Sequence, residues 1–158
     1  MKAASVQEIK TALKAKDAKE LVELTLRLAR YKKENKELLT FLLFEADDLP
    51  SYIQSIKAEI DEGFAGLDTK TYYIAKKGLR RILRTANKYI RYAGDKTVEV
   101  EVLLHFCTAF KGIKQSWQQI AALANLYKAQ IKKIDAAINT MHEDLQYDYQ
   151  RSLERLSA

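Results

Sequence analysis

The sequence predicts an all-α protein: a multi-helix bundle or a short stack of HEAT-like helical hairpins with about six to eight helices. The 158 residues include only five Gly and one Pro. These are too few for the turns that a many-stranded sandwich or barrel places about every 8–12 residues. Hydrophobic residues make up 47% of the chain, which is enough for one core at this length. We therefore expect a single all-helical domain over residues 1–158.

The first two helices are predicted from capping boxes. Ser5 is followed by Glu8, and Asp17 by Glu20. In this pattern a short oxygen side chain and a glutamate three residues later bond to free amides at a helix start. The first helix is expected to end near Ala15, and the second to continue for about four turns.

The third and fourth helices are predicted on either side of an acidic turn at residues 47–50. Residues 32–46 are so rich in apolar side chains that most of this third helix is expected to be buried. Pro50 suits the first turn of the fourth helix, where its missing N–H costs nothing. Gly63 and Gly66 are expected to end that helix.

A basic helix follows, and a valine-rich segment comes after it. Asp68 or Thr69 is expected to cap the basic helix, and Gly94 to end it in the left-handed conformation. In residues 97–111 three valines alternate with glutamates, as in a half-buried strand. We predict a helix, because a lone strand would lack a hydrogen-bonding partner.

The C-terminal part has neither Gly nor Pro after residue 112 and carries a heptad pattern. Either one long helix protrudes or it breaks, with Asn125 and Asn139 as candidate break points because Asn is a weak helix former. Consecutive helices are expected to pair. The seam positions are Ile120, Ala124, Tyr127, Ile131, Ile134, Ile138, Met141 and Leu145.

The most informative feature is a basic face on the predicted helix after Asp68. Eight basic residues and no acid lie between Asp68 and Asp95. At about 100° per residue, the seven from Lys76 onward share an arc of about 140°, opposite an apolar arc. Tyr73 falls in the same arc. The candidate anion-binding residues are Lys76, Lys77, Arg80, Arg81, Arg84, Lys88, Arg91 and Tyr73.

This face allows two interpretations. It either keeps the helix soluble, with cationic stems covering apolar surface, or binds a polyanion, since arginine forks suit phosphate oxygens and an aromatic ring can stack on a base. Neighbouring acidic residues could neutralise it. A second basic cluster would extend the site if it were adjacent. That cluster comprises Arg27, Arg30, Lys32, Lys33 and Lys36, and the acidic residues are Glu45, Asp47, Asp48, Glu59, Asp61 and Glu62.

The remaining polar residues carry no catalytic or metal-binding signature. Cys107 and His105 are two positions apart and would point about 200° away from each other on a helix, so they cannot form a nucleophile–base pair. Cys107 is expected to be a core residue, and His142 a partly buried one. Two histidines on different helices supply no metal site. No cofactor and no enzymatic activity are expected.

The sequence therefore predicts a non-enzymatic helical module that binds nucleic acid or another phosphate-bearing polyanion. The alternative is a protein–protein interaction or scaffold module that uses the heptad seam and selects acidic partners. A monomer is expected, because alanine and tyrosine in the seam make a poor zipper. With no leader-like start and no apolar run long enough to span a bilayer, we expect a cytoplasmic protein that does not engage membranes.

Overall fold

The computed structural model describes residues 1–114 and 116–158, which form α-helices and no β-strand. The predicted all-α class is confirmed, with eight α-helices in this part of the chain. They are α1 (Val6–Lys14), α2 (Ala18–Tyr31), α3 (Lys33–Thr40), α4 (Leu49–Ala65), α5 (Tyr72–Ala93), α6 (Lys96–Lys111), α7 (Ala121–Ile138) and α8 (Glu143–Ser157). A π-helical turn (Phe41–Glu45) follows α3, and a 3₁₀ turn (Trp117–Gln119) precedes α7.

The helices form two compact units, Met1–Phe44 and Glu45–Ala158. The first holds α1 to α3, and the second holds α4 to α8. That residues 1–158 act as one domain stays a prediction.

Both predicted capping boxes are present in the first unit. Ser5 caps α1 together with Glu8, and Asp17 caps α2 together with Glu20. Lys32 is extended and separates α2 from α3, which contact each other. The N-terminal polar caps were therefore correctly identified from local sequence.

The prediction that residues 32–46 form a mostly buried helix is wrong. The segment divides into α3 and the π-helical turn, and Phe41 is its only buried residue among those described. Leu38, Leu42, Leu43 and Phe44 are exposed. Apolar density alone does not report burial, because burial also requires a neighbouring element to pack against.

The second unit is built around α6, which contacts α4, α5, α7 and α8. Its buried side chains, which include the three alternating valines, span an arc of about 200° around the helix. This explains the strand-like pattern, because valines two positions apart both fall within so wide a buried arc, while Glu101, His105 and Thr108 lie on the remaining side. The buried residues of α6 are Val98, Val100, Val102, Leu103, Phe106, Cys107 and Phe110.

The C-terminal element is broken into two helices, which is one of the two predicted outcomes. α7 ends with Asn139 as its C-cap, whereas Asn125 lies within the helix. Tyr127 Oη donates a hydrogen bond to the Leu156 carbonyl oxygen at 2.9 Å, which ties α8 to α7.

Glu101 links three helices in this unit. Lys57 Nζ donates to Glu101 Oε2 at 2.6 Å, and Tyr149 Oη donates to Glu101 Oε1 at 2.9 Å. Burial raises the pKa of Glu101, but the hydrogen bonds from Lys57 and Tyr149 outweigh burial and hold this pKa below its usual value. The folded state therefore favours the ionised carboxylate.

We expect the Glu101 contacts to stabilise the protein at neutral pH and to fail in acid. Because the pKa is lowered on folding, the stabilisation is present above the unfolded pKa and is lost as pH falls through the folded pKa. Glu101→Gln should lower the free energy of unfolding by about 1 kcal/mol at pH 7, and the difference should shrink as the pH falls from 7 through the lowered pKa of Glu101. Urea titrations across this pH range measure it, with exposed Glu154→Gln as the control. A difference that stays constant with pH would contradict the expectation.

Candidate anion-binding face

The candidate face lies on α5, whose ends are set by two local features. Thr71 Oγ1 accepts a hydrogen bond from the Ile74 amide at 3.2 Å and caps the start. Gly94 ends the helix with φ of 60°, a left-handed conformation that glycine adopts without strain. The Gly94 prediction is confirmed, whereas the predicted caps Asp68 and Thr69 are wrong.

One side of α5 is buried and the opposite side carries the charges. The buried residues are Ala75, Leu79, Leu83, Ala86 and Ile90. The exposed cations are Lys77, Arg80, Arg81, Arg84 and Arg91, and the half-buried ones are Lys76 and Lys88. Tyr73 is 69% exposed in the first turn of the helix. All eight candidate residues thus lie on one helix, and none is sequestered in the core.

Most of these cations have no carboxylate partner within the described parts of the chain. No Asp or Glu oxygen lies within 4.0 Å of the side-chain nitrogens of Lys76, Lys77, Arg80, Arg81, Arg84 or Arg91. Lys88 Nζ lies 4.9 Å from the centre of the Tyr89 ring. Positive charge on this face is therefore mostly uncompensated at short range.

A groove of about 590 Å³ runs between α4 and α5. Lys77, Arg81 and Arg84 line it from α5. Glu59 and Glu62 line it from α4. Of the six acidic residues that could neutralise the basic helix, Glu59 and Glu62 thus share its groove, and neither forms an ion pair with it among the described residues. Their negative charges face Lys77, Arg81 and Arg84 in the groove, whereas Arg80 does not line it.

Two glycines in the lining of the groove allow close approaches. A Cβ placed on Gly63 of α4 would lie 2.8 Å from Ile82 Cγ1 of α5, and a Cβ placed on Gly78 would clash with the side chain of Leu67, which follows α4. Gly63 is inside α4, so the prediction that it ends the helix is wrong. Gly66 is the C-cap, as predicted.

Sequence reasoning missed one cation beside this face. Lys133 of α7 donates to Asn87 Oδ1 of α5 at 2.8 Å and shares a groove with Arg91. Glu99 lies 3.8 Å from Lys133 Nζ and offsets its charge. No local pattern could identify Lys133, because it is separated from Asn87 by 46 residues.

The second basic cluster lies in the first unit, on α2, on α3 and at Lys32 between them. Its side chains are exposed, and Lys33 Nζ lies 3.6 Å from Glu37 Oε1. Arg27, Arg30, Lys32, Lys33 and Lys36 therefore belong to a different compact unit from α5.

The structure shows the surroundings of Cys107, His105 and His142, the residues considered for catalysis. Cys107 is buried, and burial raises the pKa of its thiol to about 12, so the reactive thiolate is disfavoured. His105 Nε2 lies 2.7 Å from Asp61 Oδ1. His142 is exposed rather than partly buried, and its Nδ1 accepts from the Asp144 amide at the start of α8. The expectation for His142 burial is wrong, because a capping residue lies at the protein surface.

The acidic residue before α4 has a capping role. Asp48 caps α4 by accepting from the Ser51 amide at 3.2 Å. Residues 1–114 and 116–158 contain no group of three His, Cys, Asp or Glu side chains arranged to hold a metal ion. Across the same residues, no helix combines the length and apolar character needed to cross a bilayer.

Comparison with family models, with curated proteins and with solved structures found no match to this chain.

Proposed function

We propose that this protein is a non-enzymatic helical module that binds a polyanion through α5. The proposal is supported by one observation above all. Five cations on this helix are exposed, and none of the five has a carboxylate within 4.0 Å in the described residues. Like charges at i,i+4 destabilise a helix by a few tenths of a kcal/mol per pair. A bound anion would relieve that repulsion.

Phosphate-bearing nucleic acid is the favoured polyanion. Arg80, Arg81 and Arg84 each present a planar fork that can bond two phosphate oxygens. Tyr73 lies exposed on the same side of α5, where its ring is available to stack on an unpaired base. An acidic protein surface could pair with the arginines of α5, but it has no bases on which the Tyr73 ring could stack.

The heptad seam offers little surface for the alternative function, a protein-interaction module. Tyr127, Ile134 and Ile138 of the seam are buried by the protein's own helices, four other seam residues are half-buried, and Leu145 is the only exposed one of the eight. A partner helix would have to displace α6 or α8 to reach them. The alternative therefore requires a different surface.

Binding is tested with fluorescein-labelled single-stranded RNA, single-stranded DNA and duplex DNA by fluorescence anisotropy at several salt concentrations. We expect a triple variant, Arg80→Gln, Arg81→Gln and Arg84→Gln, to bind at least about tenfold more weakly at low salt. The slope of log affinity against log salt should fall by about 2–3, because each lost phosphate contact removes roughly 0.7–0.9. Glutamine is chosen because Glu59 and Glu62 line the adjacent groove.

The matched control replaces three exposed lysines elsewhere, at Lys114, Lys128 and Lys132, with glutamine. Both variants lower the formal net charge by three from +6. The control should retain binding. Equal losses in the two variants would show that net charge alone attracts the anion. No binding of any probe at about 50 mM salt would overturn the nucleic-acid proposal.

A further inference from the structure

The first unit exposes an unusual amount of apolar surface. None of the residues of α1, α2 or α3 is buried. Helices with so little buried area lack the packing that normally stabilises them. Twelve large apolar side chains between Val6 and Phe44 are exposed in this unit: Val6, Ile9, Leu13, Val22, Leu24, Leu26, Leu28, Tyr31, Leu38, Leu42, Leu43 and Phe44.

The total apolar area of this unit is comparable to what one partner contributes to a dimer. With side chains exposed by about one half on average, twelve of them present on the order of 800 Å² of apolar area, and a standard protein interface takes about 800 Å² from each partner. These side chains are spread over three helices and the π-helical turn, and on α2 Val22 and Leu26 lie on the side opposite Leu24 and Leu28. One contact can therefore use only part of this area.

Within this surface α2 carries a stripe suited to helix pairing. Leu21, Leu24, Leu28 and Tyr31 recur at spacings of three, four and three, so they lie along one side of the helix. Leu24 is 40% exposed, Leu28 is 64% exposed and Tyr31 is 76% exposed. The stripe is symmetric about Leu26. Two antiparallel copies would therefore place Leu24 opposite Leu28 and Leu21 opposite Tyr31.

The charges of α2 complement those of a second, antiparallel copy. Glu20 and Glu23 outweigh Lys19 in its N-terminal half, which has a net charge of −1, while Arg27 and Arg30 give its C-terminal half a net charge of +2. An antiparallel pair brings each acidic half against a basic half, twice across the two-fold axis. A parallel pair would align like charges instead.

We propose that α2 docks against α2 of a second copy of this chain, antiparallel across a two-fold axis, to form a homodimer. The proposal is independent of the cationic face on α5. It replaces the expectation of a monomer, which considered only the α7 seam.

Sedimentation equilibrium of the full chain tests the dimer. At roughly 50 µM, where an interface of this size is occupied, the mass should be twice the monomer value of 18.2 kDa. Leu24→Glu with Leu28→Glu should give 18.2 kDa. Both side chains are exposed in the single chain, so circular dichroism should show the second unit still folded.

The control, Leu145→Glu with Tyr147→Glu, makes the same charge change at exposed positions on α8 and should stay dimeric. A monomeric wild type, or a dimeric Leu24/Leu28 variant, would overturn the proposal.

Disulfide crosslinking tests the orientation. Leu21→Cys mixed with Tyr31→Cys should give a covalent heterodimer under oxidation, whereas neither variant alone should crosslink. The native Cys107 is buried and does not compete. Self-crosslinking of each variant alone would indicate a parallel pair and overturn the antiparallel arrangement.

Discussion

Phe106→Ala is expected to destabilise the protein by about 3–5 kcal/mol, a large share of the stability of a domain of this size. Phe106 is fully buried at the centre of α6. Its ring centre lies 5.4 Å from that of Phe64 on α4 and 5.9 Å from that of Phe110. Removing the ring would leave a cavity between α4 and α6 that neither neighbour can fill by a rotamer change alone. Urea unfolding measures the loss through the fluorescence of Trp117, the single tryptophan.

Trp117 is a suitable reporter because it belongs to the same aromatic cluster. Its ring centre lies 5.0 Å from that of Phe110 and 4.7 Å from that of Tyr127. Tyr147→Ala serves as the control, because Tyr147 is exposed on α8 and its loss should change stability by less than about 0.5 kcal/mol. A loss below about 1 kcal/mol for Phe106→Ala would mean that this core is not packed as described.

Gly63→Leu is expected to cost about 1–3 kcal/mol by forcing α4 and α5 apart. The 2.8 Å approach of a Gly63 Cβ to Ile82 leaves no room for a larger side chain unless Ile82 moves. Because the same contact lies in the lining of the groove beside the cationic face, the variant should also weaken anion binding. Urea unfolding and the anisotropy titration measure the two effects.

Gly66→Leu is the matched control for this substitution. Gly66 ends the same helix, and a Cβ there would lie 3.6 Å from the Glu62 carbonyl oxygen, an ordinary contact. The control should change stability little, because its backbone conformation suits other residues and the unfolded chain loses freedom. Similar losses at both positions would show that the effect of Gly63→Leu does not come from the α4–α5 contact.

Helix starts and ends were predicted best where a local signal sets them. Ser5, Asp17 and Gly94 act through atoms within three or four residues, so their roles are visible in the sequence. The start of α5 was misplaced because Asp68, Thr69 and Thr71 are all competent caps. Asp68 instead accepts from the Lys70 amide at 2.9 Å in the turn before the helix. When several neighbouring residues can cap a helix, the path of the backbone determines which of them does so.

Burial was predicted less well because it depends on contacts between distant residues. Gly63 carries the same sequence signal as a helix terminator, yet its role is to admit Ile82 from α5. Likewise, Leu42 and Leu43 follow the apolar pattern of a core helix and are exposed. In both cases the deciding partner lies outside any local window.

The candidate site was predicted in outline but not in its surroundings. Helical periodicity placed Arg80, Arg81 and Arg84 on one side of α5, and their exposure agrees with that placement. The approach of Lys133 and the presence of Glu59 in the groove come from other helices. These neighbours set how strong the positive field is, and periodicity carries no information about them.

Because Cys107 is buried, the rate at which a thiol reagent labels it can report how often the α6 core opens. Its thiol has no accessible surface while the second unit is folded. A thiol reagent can therefore modify it only in molecules whose core has opened, and the labelling rate reports that opening. Because the chain has one cysteine, all thiol labelling reports on its position in α6. Loosening confined to α1 to α3 would leave that rate unchanged.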